Sequence, residues 1–283
     1  MIMRQRTRLT ELLRNVSYEV VPLKTSEQAV LAHVPTTIPL TVTVTETRGM
    51  EATLRLTERL RPHGYDVAPH LAARLFRDRN EVADVVARLR AAGVRSVFVI
   101  GGDSARPLGR LPDAYSLLQA LGPSFEQIGI AGYPEGHWAT PQDATDLALK
   151  QKAPLATRII TQICFDAATT SSWAARIAAF GVGLPVHVGL PGPVSRQKLM
   201  RISARLGLGP SARFLRKQRS LLWRFLVPGG YHPARLAERL GVAVTETANN
   251  VRGLHVFTFN ELAGTERWRR ALLASLSEAG EEP

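Results

Sequence analysis

Short apolar runs alternate with longer stretches of helical spacing along almost the whole chain. Eight runs have the length and composition of buried strands: Ser17–Val21, Leu40–Val44, Asp66–Pro69, Ser96–Ile100, Gln127–Ala131, Arg158–Phe165, Pro185–Gly189 and Leu254–Phe259. Between them apolar residues recur three and four positions apart. Met50–Leu60 carries Leu54, Leu56 and Leu60 among Arg and Glu, and Glu81–Ala91 carries Val82, Val85, Val86 and Leu89. Gly64, Gly93, Gly122 and Gly181 fall near the ends of such stretches, where a left-handed cap residue is favoured. Strict alternation of strand and helix predicts a parallel sheet with crossover helices. Eight strands close a (β/α)8 barrel, and 283 residues suit that fold, whose usual length is about 250.

The rhythm breaks once, between the seventh and eighth strands. Ser195–Leu206, Ala212–Leu226 and Pro233–Leu240 have helical spacing there, with a turn at Pro228–Tyr231. The expectation is therefore an α/β chain forming a single (β/α)8 barrel domain over residues 1–283, with a helical insertion at about 195–250 on the catalytic side. No internal repeat, low-complexity tract or linker divides it.

Nearly every apolar run ends in a residue that can do chemistry. Glu19 interrupts the first strand, His70 follows Pro69, and Asp103 follows Gly101-Gly102. Tyr133, Glu135 and His137 follow the fifth strand, and Gln162 lies in the sixth. Thr258, Asn260 and Glu261 close the eighth. Polar groups gathered at the C-terminal ends of successive strands form the active-site face of an α/β barrel. Glu19 carries the most weight. Facing the helices, an unpaired carboxylate would be costly; facing the pocket, it would be desolvated with its pKa raised, as suits a general acid. Glu135 and His137 have ligand-like spacing, and His70, His137 and His187 could meet at a barrel mouth. No second His/Cys pair follows in register, so no metal is assigned.

Composition narrows the classes. No apolar run approaches the roughly 18 residues of a membrane span. The N-terminal stretch is basic but has no apolar core of a secretory signal. A single cysteine, Cys164, rules out an intrachain disulfide, fits a reducing cytoplasm, and reads as a buried packing thiol. The net charge of +12 suggests an anionic partner. The basic residues are spread over helices, densest over Arg196–Arg224, and match no recognised nucleic-acid motif. There is no nucleophile elbow, Walker loop or dinucleotide fingerprint, so any nicotinamide is bound without a Rossmann domain.

YEVVPLKT, TVTVT, APHL, GGD, AGYPEGH, ITQICFD and VFTFNE stand in an order and spacing that resemble the methylenetetrahydrofolate reductase family, from about Ser17 to Leu273. The resemblance implies a (β/α)8 barrel that reduces 5,10-methylenetetrahydrofolate to 5-methyltetrahydrofolate, with FAD taking hydride from NADH or NADPH. It implies Glu19 as the acid that opens the substrate, Asp103 beside pterin and flavin, and Gln162 on folate. Flavin contacts fall on Thr43, His70, Gly102, Asp103, Tyr133, His137 and Lys152. Thr41 and Thr45 share a face with Thr43, and the connection containing Lys152 is one residue shorter. Four departures stand out. Gly101 replaces an arginine, Trp138 replaces a proline, the two-proline opening is reduced to VVPLKT, and ETRG replaces a glycine-rich loop. All but the third lie where a flavin would be held, so direct hydride transfer from NADH without flavin stays open. So do a pterin-dependent methyl-group or demethylation enzyme and a non-catalytic folate-binding barrel. A polyglutamylated folate would use the positive charge.

Overall fold

The computed structural model describes residues 3–45, 48–104, 106–137, 140–194, 232–246 and 249–278. Eight parallel strands close one barrel in sequence order. They are β1 (Val16–Val20), β2 (Leu40–Val42), β3 (Val67–Ala72), β4 (Ser96–Ile100), β5 (Gln127–Gly132), β6 (Arg158–Ile163), β7 (Val186–Pro191) and β8 (Val251–Phe257). Helix α1 (Met3–Arg14) precedes the barrel. The others are α2 (Ser26–His33), α3 (Gly49–Leu60), α4 (Arg79–Ala91), α5 (Ala114–Leu121), α6 (Gln142–Lys152), α7 (Ala167–Ala179), α8 (Pro233–Glu246) and α9 (Leu262–Glu278). Among the described residues no helix is long and apolar enough to cross a membrane.

All eight expected strands form, and their ends shift for local reasons. Pro69 was read as the end of the third strand, yet β3 continues through His70 to Ala72. Pairing with β2 stops at Pro69 and pairing with β4 begins at His70. The proline thus sits where the strand changes partner, and its missing N–H costs no ladder bond. β6 stops at Ile163 rather than Phe165, because the amides of Phe165 and Asp166 turn to the Glu135 carboxylate instead. The expected helix Pro233–Leu240 is α8, which continues to Glu246. The helices expected at 195–206 and 212–226, with the turn at 228–231, lie outside the described residues.

Tyr18 marks the outward face of β1. Its hydroxyl donates to Glu266 on α9 at 2.7 Å. Burial alone would raise the Glu266 pKa, but bonds from Arg269, Arg270 and Tyr18 outweigh it and hold the carboxyl at about 2. Side chains alternate across a strand, so Val16 and Val20 also face outward, while Ser17 and Glu19 face the axis. Register partners share a face. From Glu19 the pairs run to Thr41 and Ala68, then from His70 to Phe98, Gly129 and Arg158. They continue from Ile160 to His187 and Gly253, and from His255 back to Ser17. The apolar core lies between strands and helices, with Val97, Val99, Ile130, Ile159, Val188 and Val256 fully or almost fully buried. The barrel interior is mixed by contrast, with Glu19, His70, Arg158, His187 and His255 set among Ala68, Phe98 and Ile160.

That interior closes by matching large against small. A Cβ on Gly253 would stand 2.8 Å from His187 Nδ1, and one on Gly129 would stand 3.0 Å from the Phe98 ring. Glycine at these two places makes room for side chains that fill the axis.

Candidate active site

Glu19, one residue from the end of β1, enters the barrel just below its C-terminal mouth. Its Oε2 lies 3.7 Å from His70 Nε2 and 3.9 Å from His255 Nε2. The glutamate side chain keeps 15% exposure, whereas His255 has none. His255 Nδ1 is 2.8 Å from Ser17 Oγ. His70 is held edge-on by Phe98, with ring centroids 4.7 Å apart, and His255 by Phe257 at 5.1 Å. Neither Nε2 has a hydrogen-bond partner, nor does the buried Thr41 Oγ1 beside them. Buried polar atoms are rarely left so. Here both imidazoles aim their orphan nitrogen at one carboxyl.

The electrostatics follow from burial. Desolvation raises the Glu19 pKa, and the attraction of His70 only partly offsets it. Desolvation pushes His70 down to about 4, with Glu19 opposing, and His255 to about 3, with Arg158 adding to the effect. Both imidazoles are neutral near pH 7, so neither supplies a cation to Glu19, and burial favours its acid form. The Ser17 contact gives His255 two tautomers. With Ser17 donating to Nδ1, Nε2–H faces a carboxylate; with Nδ1–H donating to Ser17, the Nε2 lone pair faces a protonated Glu19 across 3.9 Å. The group can therefore hold a proton on Glu19 and adapt when it leaves.

The other expected residues fall on the rim or outside it. Thr43 directly follows β2, its amide donating to the Val20 carbonyl at 3.0 Å. Gly102 (φ 87°) and Asp103 follow β4. Tyr133 and His137 follow β5 and pack edge to face at 4.7 Å. Burial, then the charge of Asp103, pushes the Tyr133 phenol up to about 12, which places Asp103 beside it. Gln162 is the penultimate residue of β6, and its side chain has no partner among the described residues. Lys152 stands apart from this cluster. It ends α6 in the outer helical layer, where burial lowers its pKa and Asp113 opposes the shift.

Several further polar residues of the strand ends make structural bonds, and Cys164 is buried as expected. Glu135 accepts from the amides of Phe165 and Asp166 at 2.5 and 2.6 Å, tying the loop after β5 to the start of α7. That use fits a carboxylate near a helix N-terminus. His187 faces Gly253 inside the barrel. Among the described residues no three His, Cys, Asp or Glu side chains gather as a metal site. Cys164 is buried, its thiol pushed up to about 12 by burial, and it packs against Thr161 Oγ1 at 3.3 Å. Thr258 Oγ1 donates to the Glu19 carbonyl at 2.6 Å. Asn260 Oδ1 accepts from Val21 N, and its Nδ2 donates to Val21 O, each at 2.9 Å. These two residues staple the end of β8 to the strand that carries the acid.

Ser17 and His255 were missed. Ser17 lies two positions before Glu19, hence on the same face, and His255 is the polar member of the alternation in LHVF. That periodicity is the signal in the sequence that marks both residues.

Solved structures with the same architecture are distant in sequence. An oxaloacetate acetylhydrolase is 13% identical with a TM-score of 0.53, covering 99% of this chain and 88% of that one. A putative phosphonomutase from Burkholderia cenocepacia J2315 is 13% identical with a TM-score of 0.50, covering 97% and 99%. A GH18 chitinase from Pseudoalteromonas aurantia is 10% identical with a TM-score of 0.50, covering 92% and 98%. They share the fold alone. The sequence model described as methylenetetrahydrofolate reductase matches residues 4–207, a span that holds every expected site residue from Glu19 to Gln162. With that match over most of its length, and an acid set in the mouth of a closed eight-stranded barrel, the chain belongs to the methylenetetrahydrofolate reductase family, a family of folate-related one-carbon reductases.

Proposed function

We propose that this protein reduces 5,10-methylenetetrahydrofolate to 5-methyltetrahydrofolate at the expense of NADH or NADPH, with Glu19 as general acid. One observation carries the reading: a single carboxyl, buried just inside the mouth and flanked by two neutral imidazoles. The substrate's methylene carbon bridges two amines. Its bond to the departing amine breaks as that nitrogen takes the Glu19 proton, leaving an iminium. Hydride then adds to the methylene carbon, giving the methyl group and the oxidised nicotinamide. Ser17 and His255 back Glu19 from below and let it regain a proton. Gln162 and Asp103 are the folate contacts on the rim.

Family members generally bind FAD, which when bound relays hydride from nicotinamide to folate. The residues at the mouth fit its ring: His70 offers an unpartnered Nε2, and the Tyr133–His137 pair presents aromatic surface beside Asp103. Thr43 and Gly102 complete the proposed contacts at the mouth, and Lys152, at the end of α6, is no part of them. A second reading, direct hydride transfer from the nicotinamide, has Gly101 in its favour, where the family pattern has arginine.

The test is NADH oxidation with methylenetetrahydrofolate by protein whose visible spectrum shows it flavin-free, then with added FAD. Activity only on adding FAD supports the flavin; full activity without it supports direct transfer. Replacing Glu19 by Gln should lower turnover about 100- to 10,000-fold while folate binding persists. Near-normal turnover by that variant would remove Glu19 from the mechanism.

A further inference from the structure

Arg74 lies in the turn after β3, and its whole backbone is laced to the loop after β4. Its amide donates to the Gly101 carbonyl at 3.1 Å, and its carbonyl accepts from Leu108 N at 2.9 Å. The side chain crosses the same loop. Nε donates to the Pro112 carbonyl at 3.0 Å and Nη1 to the Ser104 carbonyl at 3.1 Å. Gly102 packs on it, since a Cβ there would stand 3.7 Å from Arg74 Cβ and 3.2 Å from Ala72 Cβ. The carbonyls of Pro112 and Ser104 fix the guanidinium plane. Nη2 has no partner among the described residues, so one edge of the fork keeps its donors.

Gly101 is unlike its neighbour. Gly102 needs glycine at φ 87°, but Gly101 has no positive φ. A Cβ on Gly101 would meet nothing nearer than the Ala114 amide nitrogen at 3.9 Å. Neither backbone nor packing at Cβ demands glycine at 101. The family pattern places an arginine at this position, and here an arginine of the adjoining loop reaches the same loop from the other side.

We infer that Arg74 supplies the cation for the pyrophosphate of a bound dinucleotide, in place of an arginine at position 101. The inference rests on the dinucleotide-dependent reduction proposed above. The shared chemistry is the diphosphate, which occurs in FAD and in NAD(P)H alike. A guanidinium already oriented by two carbonyls loses little freedom on binding phosphate and offers parallel N–H donors to it.

The experiment is calorimetric titration of the intact protein with ADP, adenosine, NADH and FAD. The proteins are wild type, Arg74→Ala, Arg74→Lys and the double variant R74A/G101R. A charge-assisted contact predicts an ADP affinity about 10- to 100-fold weaker in Arg74→Ala, with adenosine binding unchanged. Arg74→Lys should fall between, keeping charge without the fork. Adding Gly101→Arg should restore much of the loss, because it returns a guanidinium to the same loop from a position that accepts a Cβ. A purely structural clasp predicts otherwise: Gly101→Arg could not restore Arg74's bonds to Pro112 and Ser104. Equal ADP affinity in wild type and Arg74→Ala, or loss of ADP binding that Gly101→Arg leaves untouched, overturns the assignment. FAD and NADH titrations show which dinucleotide feels Arg74. Wild-type protein that binds neither removes the cofactor reading itself, and Arg74's role with it.

Discussion

At the residue scale, Glu19 shows activity and stability pulling apart. Its folded-state pKa is raised by burial, so folding prefers the protonated form. Its contribution to stability is fully present below the unfolded-state pKa and is lost as pH rises through the folded-state value. The unfolded chain ionises this carboxyl more readily than the folded state does. Glu19→Gln does not titrate, so it should match or exceed the wild type in thermal midpoint at pH 7, with an advantage that grows as pH rises through that window. The same acid should impose a limb on the kcat/KM profile, with activity falling as pH rises through the Glu19 pKa. Melts and rates measured across pH check both. A Glu19→Gln protein less stable than wild type at pH 7 would mean that the carboxyl is satisfied in a way the geometry lacks.

At the scale of elements, the barrel is locked where its last strand meets its first. Phe259 and Asn260 both adopt positive φ, 50° and 58°, a conformation that costs non-glycine residues about 1–2 kcal/mol each. The strain is held by the bonds of Asn260 to both backbone groups of Val21 and to Ser26 Oγ, and of Thr258 to the Glu19 carbonyl. At about 1 kcal/mol per bond, Asn260→Ala should destabilise the fold by roughly 2–4 kcal/mol. Turnover should fall as well, since the end of β1 loses its anchor. Asn260→Gly should recover the backbone part of the loss but not the bonded part. Denaturant melts of the two variants separate these contributions, and an Asn260→Ala midpoint equal to wild type would show the staple to be idle. Glu135 performs a like task on the far side, joining the loop after β5 to α7.

At the scale of the whole molecule, the charge of +12 is the dominant feature beyond the barrel. Its densest stretch, Arg196–Arg224, lies outside the described residues, so its use is argued from charge alone. A folate tail with several glutamates is polyanionic, and a strongly basic protein should bind it more tightly as the tail lengthens. Added salt should erase the gain, because charges beyond about 8–10 Å are screened in ordinary buffers. Titration of mono- and polyglutamylated folate at two ionic strengths measures this. Equal affinities at low salt would assign the charge to another partner.

The order of strands and helices was legible in the chain because each strand is buried on both faces and each helix on one, and burial writes itself into periodicity. Glu19, His70, Asp103, Tyr133 and Gln162 were legible because a polar residue inside or just after an apolar run is conspicuous. What the sequence left undecided was contact between residues far apart in it. Ser17 and His255 are 238 positions apart, and only closure of β8 against β1 brings them together. The same closure turns Thr258 and Asn260 from candidate chemistry into anchors of Glu19, and a neighbouring pairing makes Arg74 a partner of the loop after β4. The direction of Glu19's pKa was likewise open. A carboxyl in an apolar strand can be paired or desolvated, and only the barrel's register showed that the groups facing it are neutral imidazoles. Local pattern determined the elements through burial; the chemistry waited on register, which a linear pattern does not contain.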